Sequence, residues 1–142
     1  MAASEAGFRY RGSSLSDDDV VIGTTVRLES GDPSVMRALM AEAREWRRRT
    51  QPLAEPNCGS VFKNPPGDHA ARLIDEAGLK GLTVGGAAVS MKHANFIVTS
   101  QGARAADVVE LMRKVQDSVA ARSDVSLEPE VHLIGHFDLA SR

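Results

Sequence analysis

The sequence predicts an α+β domain in which helices pack on one side of a small sheet. Three observations carry that expectation. From residue 56 onward, strand-like and helix-like patterns follow the order β-α-β-β-α-β, which gives a mixed layer of sheet and segregated helices. The third helical pattern, Val108, Met112, Val115 and Val119, steps by four, three and four, so one helical face is apolar. Residues 51–56, with Pro52 and Pro56, separate this part from a shorter N-terminal one.

In chain order, the first residues are irregular. Residues 20–28, VVIGTTVRL, are rich in β-branched side chains and alternate from Thr24 to Leu28, so a strand is expected there. The preceding Asp17-Asp18-Asp19 reads as a solvated turn. A hard cation needs oxygens converging from several directions, and three adjacent side chains point apart. Gly31-Asp32-Pro33 announces a helix, with Asp32 as N-cap and Pro33 at the first helical position. Val35, Met36, Leu39, Met40, Ala43 and Trp46 give it one apolar face. Arg47-Arg48-Arg49 closes it. Cations favour the negative end of a helix dipole, and no wider basic face or aromatic platform supports nucleic-acid binding. The linker then divides the chain into domains 1–55 and 56–142.

Residues 60–62 form a short strand, and Asp68 caps a helix carrying Ala70, Leu73, Ile74 and Ala77 on one face. Gly78 stops that helix, with Leu79 placed to pack back on it as in a Schellman ending. Residues 82–90 are strand-like but interrupted by Gly85-Gly86, which predicts a bulge or a close backbone approach. Residues 95–99 form another strand and 108–119 the last helix. A final strand puts Val131 and Leu133 on one face and Glu130 and His132 on the other.

Composition sets limits on function. The 142 residues, 42% hydrophobic, suffice for one real core. A net charge of -2 with 25% charged residues gives no general polyanion-binding surface. The single cysteine, Cys58, permits no internal disulfide. No apolar run approaches the roughly 20 residues of a membrane span, and the N-terminus lacks a basic-then-apolar signal. The expectation is a soluble cytoplasmic chain without membrane or nucleic-acid partners.

The stretch CGSVFKNPPGD, residues 58–68, resists reading as plain structure. Gly59 permits close approach to the backbone, and Asn64-Pro65-Pro66-Gly67 is rigid turn chemistry. The Ser60 hydroxyl is either functional or a strand-end group bonding a neighbouring carbonyl. Cys58 reads as a structural thiol, since no partner histidine is identifiable. In Leu127-Glu128-Pro129-Glu130-Val131, Glu130 alternates against apolar residues and points either into a cleft or into water. In Phe8-Arg9-Tyr10-Arg11, an aromatic ring and a planar guanidinium suit a carboxylate or phosphate. The spacing of His132 and His136 is poor for a shared metal, and no metal site is expected.

Taken together, these blocks resemble the UDP-N-acetylenolpyruvoylglucosamine reductases, the MurB family of peptidoglycan synthesis. The resemblance runs through Phe8-x-Tyr10-Arg11-x-Ser13, Gln51-Pro52-Leu53 and Gly59-Ser60-Val61-Phe62-Lys63-Asn64-Pro65. It continues through Ala71-x-Leu73-Ile74-Asp75-x-Ala77-Gly78-Leu79-Lys80-Gly81, Gly85-Gly86-Ala87-x-Val89-Ser90 and Lys92-His93-Ala94-Asn95-Phe96-Ile97-Val98. It closes with Leu127-Glu128-Pro129-Glu130-Val131-x-Leu133-Ile134-Gly135, so it covers nearly the whole chain.

The resemblance implies that Ser60 is the proton donor and that Arg11 and Glu130 complete the catalytic set. It assigns Asn64, Lys63 and Tyr10 to substrate binding. It implies NADPH as co-substrate, FAD as cofactor and UDP-N-acetylglucosamine enolpyruvate as substrate, with UDP-N-acetylmuramate as product. Arg11 stays charged and binds a carboxylate in a fork. A serine held in contact can protonate a strongly basic carbon centre. Glu130 would act as a protonated donor or through a hydrogen bond, which asks for burial that raises its pKa.

In that family the main FAD-binding domain, with its glycine-rich phosphate loop, precedes the Tyr-Arg pair, and this chain starts seven residues before Phe8. The chain is therefore expected to be a C-terminal portion: the end of a FAD-binding lobe, then the substrate-binding domain, inactive on its own. The alternative is a non-catalytic UDP-sugar binding module derived from the family. The joint presence of Arg11, Ser60 and Glu130 favours the reductase portion.

Overall fold

The computed structural model describes residues 1–16 and 18–135; Asp17 and His136, which entered the metal readings above, lie outside the described residues. The backbone clusters into two compact units, Met1–Leu39 and Met40–Arg142.

In the first unit, Arg9 and Gly12 exchange backbone hydrogen bonds of 3.0 and 3.1 Å. Tyr10 and Arg11 form the tip of this tight turn, with Arg11 at φ 51°. The strand expected over residues 20–28 is absent: the segment is exposed and unpaired as a strand. β-branched side chains favour a pleated, half-buried surface, and among the described residues no second strand flanks this one. The helix that follows is as the sequence predicts. α1 spans Pro33–Thr50, and Asp32 Oδ1 accepts the Ser34 and Val35 N–H groups at 2.7 and 3.4 Å. Arg47, Arg48 and Arg49 fill its last turn. Its apolar residues Val35, Met36, Leu39, Met40 and Trp46 are exposed.

The second unit carries the sheet. β1 (Asn57–Ser60), β2 (Thr83–Val84), β3 (Ala87–Val89) and β4 (Phe96–Thr99) are all antiparallel in the order β1-β4-β3-β2. α2 (Ala70–Glu76) and α3 (Ala105–Ser123) pack on one another, and α3 lies on β2 and β3. Between them sit Phe62, Ile74, Val89, Leu111, Val115 and Leu127, each under 3% exposed. Burying such a side chain contributes about 1.5–3 kcal/mol.

The Schellman ending of α2 forms as expected. Leu79 N–H reaches Ile74 O at 3.2 Å and Gly78 N–H reaches Asp75 O at 2.9 Å, with Gly78 at φ 72°. The start of α2 differs. The N-cap position is His69, and Asp68 receives the His69 N–H and pairs with Arg72. The Ala70 N–H is instead accepted by Asn64 Oδ1 at 3.1 Å. An amide from outside the helix has taken the place of a local cap.

Gly85-Gly86 is neither bulge nor strand interior. It is the two-residue turn of the β2–β3 hairpin, with Val84 facing Ala87 and Gly85 at φ 52°. The expected close approach is also real, since a Cβ on Gly85 would fall 2.5 Å from the Asp107 carboxylate. Asp107, buried at the start of α3, accepts the N–H of Arg104 at 3.0 Å and of Gly86 at 3.2 Å. These two N–H groups, Arg104 first, hold its pKa below the ordinary carboxylate value, helped by the Arg104 side chain.

The final strand is reduced to a single bridge, Phe62 facing Pro129. Pro129 takes the non-hydrogen-bonded position of that pair, where a ladder needs no N–H, and among the described residues no second bridge follows it. Val131 still packs against the core, but Leu133 and Ile134 are exposed. Among the described residues no helix is long and apolar enough to cross a membrane.

Candidate active site

The site grows from an irregularity in β1. Asn57 faces Val98 and Ser60 faces Phe96, so three steps along β1 match two along β4. One extra residue is accommodated as a β-bulge. Gly59 sits in it at φ 88°, and a Cβ there would meet nothing within 4 Å. Glycine is required here by the backbone angle and not by crowding. Asn57 braces the turn: its Oδ1 accepts the Gly59 N–H at 3.0 Å, while its Nδ2 donates to Pro52 O at 3.0 Å and Glu55 O at 2.7 Å. The bulge sets the direction in which half-buried Ser60 leaves the sheet.

Immediately beyond, Val61 and Phe62 plunge into the core, at 1% and 2% exposure. Val61 N–H bonds to Asn95 O at 3.0 Å. The segment 61–63 then pairs with 128–130: Lys63 N–H reaches Glu128 O at 2.9 Å, and Glu130 N–H reaches Val61 O at 2.8 Å. Leu127, 1% exposed, and a 2.8 Å bond from Gln116 Nε2 to Leu127 O anchor that second segment to α3. The result is a short two-stranded ribbon. It brings Glu130 opposite Val61, one residue from Ser60.

The remaining sequence candidates fall on both units. Lys63, half-buried, holds the Glu128 carboxylate. Asn64 has the structural duty at α2 already described, and Glu130 is half-buried. Tyr10 and Arg11 belong to the first unit, where the Arg11 guanidinium carbon lies 5.2 Å from the Tyr10 ring centroid, a cation–π distance. Cys58 is exposed on β1 and Asp18, Asp19 and His132 are exposed. Among the described residues no group of three or more His, Cys, Asp or Glu side chains converges for a metal. Sequence reading gave no role to Asn57 or Asn95. The signal was available: each is a carboxamide set at the edge of a strand pattern, where such a group competes for backbone partners.

A shallow groove of about 170 Å³ runs over the sheet past Thr83, Ala88, Val98, Thr99 and Ser100. It contains none of the candidate residues. A dinucleotide's phosphates need open backbone N–H groups. The double-glycine turn does not supply them, since the Gly86 N–H is taken by Asp107.

A family model described as UDP-N-acetylenolpyruvoylglucosamine reductase, C-terminal domain, matches residues 51–134. The UDP-N-acetylenolpyruvoylglucosamine reductase of Alkalilimnicola ehrlichii is 51% identical over 126 residues, covering 89% of this chain and 42% of that protein. Its counterpart in Pediococcus pentosaceus is 50% identical over 132 residues, covering 92% and 44%. The crystal structure of UDP-N-acetylenolpyruvylglucosamine reductase (MurB) from Thermus caldophilus superposes with a TM-score of 0.79 at 43% identity, covering 91% of this chain and 46% of that one. The chain spans less than half the length of these relatives.

Proposed function

The chain belongs to the UDP-N-acetylenolpyruvoylglucosamine reductase family, whose C-terminal domain it carries, and we propose that it serves as the substrate-binding and proton-donating portion of such a reductase. The substrate is UDP-N-acetylglucosamine enolpyruvate and the product UDP-N-acetylmuramate, a step of peptidoglycan synthesis in the cytoplasm. FAD and NADPH supply the reducing equivalents, and the flavin is held by sequence beyond the part matched here. The domain boundary lies at the linker, 1–55 against 56–142.

The observation that carries this reading is the ribbon. Pairing of 61–63 with 128–130 sets Glu130 across from Val61 and beside Ser60. Two polar residues distant in sequence are thereby carried close together along one ribbon. Reduction of a double bond beside a carboxylate places negative charge on that carboxylate and leaves a basic carbon. Ser60 gives its hydroxyl proton to that carbon. Glu130, half-buried, offers a hydrogen bond at the same spot, and Lys63 and Asn64 contact the substrate. Arg11 and Tyr10 are assigned to the substrate carboxylate on the resemblance, because a guanidinium fork fits that group.

The test is complementation. The chain alone should be colourless and oxidise no NADPH. Joined to the flavin-binding portion of a relative, it should oxidise NADPH only when the enolpyruvyl UDP-sugar is present. A joined protein that holds flavin yet ignores that sugar would overturn the assignment.

A further inference from the structure

The ribbon is fastened to the sheet by a side chain outside the proposed catalytic set. We propose that Asn95 is the positioning residue of this site: its carboxamide stands in for a missing strand beside Phe62 and so holds the segment after Ser60 in the place where it pairs with the Glu130 segment.

The geometry is that of a fork. Asn95 Oδ1 accepts the Phe62 N–H at 3.0 Å, and Asn95 Nδ2 donates to the Phe62 C=O at 2.8 Å. One carboxamide thus meets both backbone groups of one residue, and the donor–acceptor pattern fixes which way the amide points. Asn95 is 4% exposed and Phe62 2% exposed, so water is no substitute partner.

The need for such a fork follows from the chain path. The β1–β4 ladder ends at Ser60 facing Phe96. Before Phe96 the chain turns away, with Phe96 N–H on His93 O at 3.0 Å and Asn95 N–H on His93 Nδ1 at 3.2 Å. No β4 backbone therefore continues alongside Phe62. On its other edge Phe62 faces Pro129 as a non-hydrogen-bonded pair, flanked by the Lys63–Glu128 and Glu130–Val61 bonds, so its own N–H and C=O point away from Pro129. Without Asn95, a buried N–H and a buried C=O lose their partners. Each one-residue slip of a ribbon also turns every side chain to the opposite face. The amide therefore sets more than stability. It fixes where the 61–63 segment lies, and with it the Lys63 N–H and Val61 C=O that pair with Glu128 and Glu130. Its catalytic consequence rests on the function proposed above; its structural consequence does not.

Asn95→Asp gives the sharpest test. As a carboxylate it still accepts the Phe62 N–H but repels the Phe62 C=O. As a carboxylic acid it has the same donor and acceptor as the native amide. Asn95→Leu, similar in volume, removes both bonds. Amide hydrogen exchange of the 142-residue chain is read at Lys63 and Glu130, whose N–H groups are accepted by Glu128 O and Val61 O, and at Val115 in α3. At neutral pH both variants should lose about tenfold or more protection at Lys63 and Glu130 beyond any loss at Val115, as for a local opening. On acidification the Asp variant alone should recover, while wild type does not gain. Equal losses at all three amides, unchanged protection, or no acid recovery would overturn the proposal. In a complemented reductase, Asn95→Asp should lower kcat for the sugar, and recover it on acidification, with NADPH oxidation by flavin unchanged. A wild-type reductase without turnover would count against the proposed function alone, because the exchange result decides Asn95 separately.

Discussion

Replacing Gly59 by Ala isolates the contribution of the bulge. At φ 88° the backbone is in a region that side chains disfavour, while an added Cβ meets nothing within 4 Å. The penalty is therefore conformational strain without any clash, roughly 1–2 kcal/mol for a non-glycine residue held left-handed. For a unit of this size that lowers Tm by about 4–8 °C per kcal/mol. Asn visits positive φ more readily than Ala, so Gly59→Asn should cost clearly less. Urea unfolding followed by far-ultraviolet circular dichroism measures all three chains, with equal m-values confirming that only stability has changed. If Ala costs less than about 0.3 kcal/mol, or Asn costs as much as Ala, the strain argument is wrong. The bulge would then not depend on glycine, and the direction of Ser60 would need another cause.

Acid stability gives a second test. Arg72, and then the His69 N–H, push the Asp68 carboxyl down to about 2 from an ordinary 3.8, and Asp107 is lowered by the Arg104 and Gly86 N–H groups. Each depressed carboxyl stabilises the fold above its unfolded pKa, and that stability is lost as pH falls from about 3.8 through the folded values. Asp107→Asn should flatten the acid limb of a urea midpoint titration; an unchanged limb would separate Asp107 from the linkage. Hydrogen exchange gives a third: amides at 20–28, exposed in the structure, should exchange far faster than those at 108–119 of α3. Equal protection would place a strand where the structure has none.

Much of the fold was legible because its signals are local. Asp32-Pro33 starts α1, Gly78 with Leu79 ends α2, and the spacing of Met112, Val115 and Val119 gives α3 its buried face. The departures share a different cause, namely partners distant in sequence. Residues 20–28 have strand composition but no neighbouring strand. Asp68 has the chemistry of a cap, yet Arg72 takes its carboxylate and Asn64 serves the helix. Alternation at 130–133 reads as a strand, whereas the structure holds only the bridge of Phe62 with Pro129. In the site, Ser60 and Glu130 were named from their motifs, but nothing in either motif says that their backbones come to lie on one ribbon. That follows from the 61–63 and 128–130 ribbon and from Asn95, whose fork no periodicity announces.

The proton-donor role of Ser60 is tested most directly by Ser60→Ala in a complemented reductase, with the two half-reactions followed separately by stopped flow. Reduction of flavin by NADPH should keep its wild-type rate, because it needs no proton for the sugar. Reoxidation by the enolpyruvyl UDP-sugar should slow by roughly 100- to 10,000-fold, the range of general-acid contributions, and Ser60→Cys should retain more activity than Ala because a thiol also carries a proton. Reoxidation of the Ala variant at the wild-type rate, or an equal slowing of both half-reactions, would contradict the assignment of Ser60 as the acid.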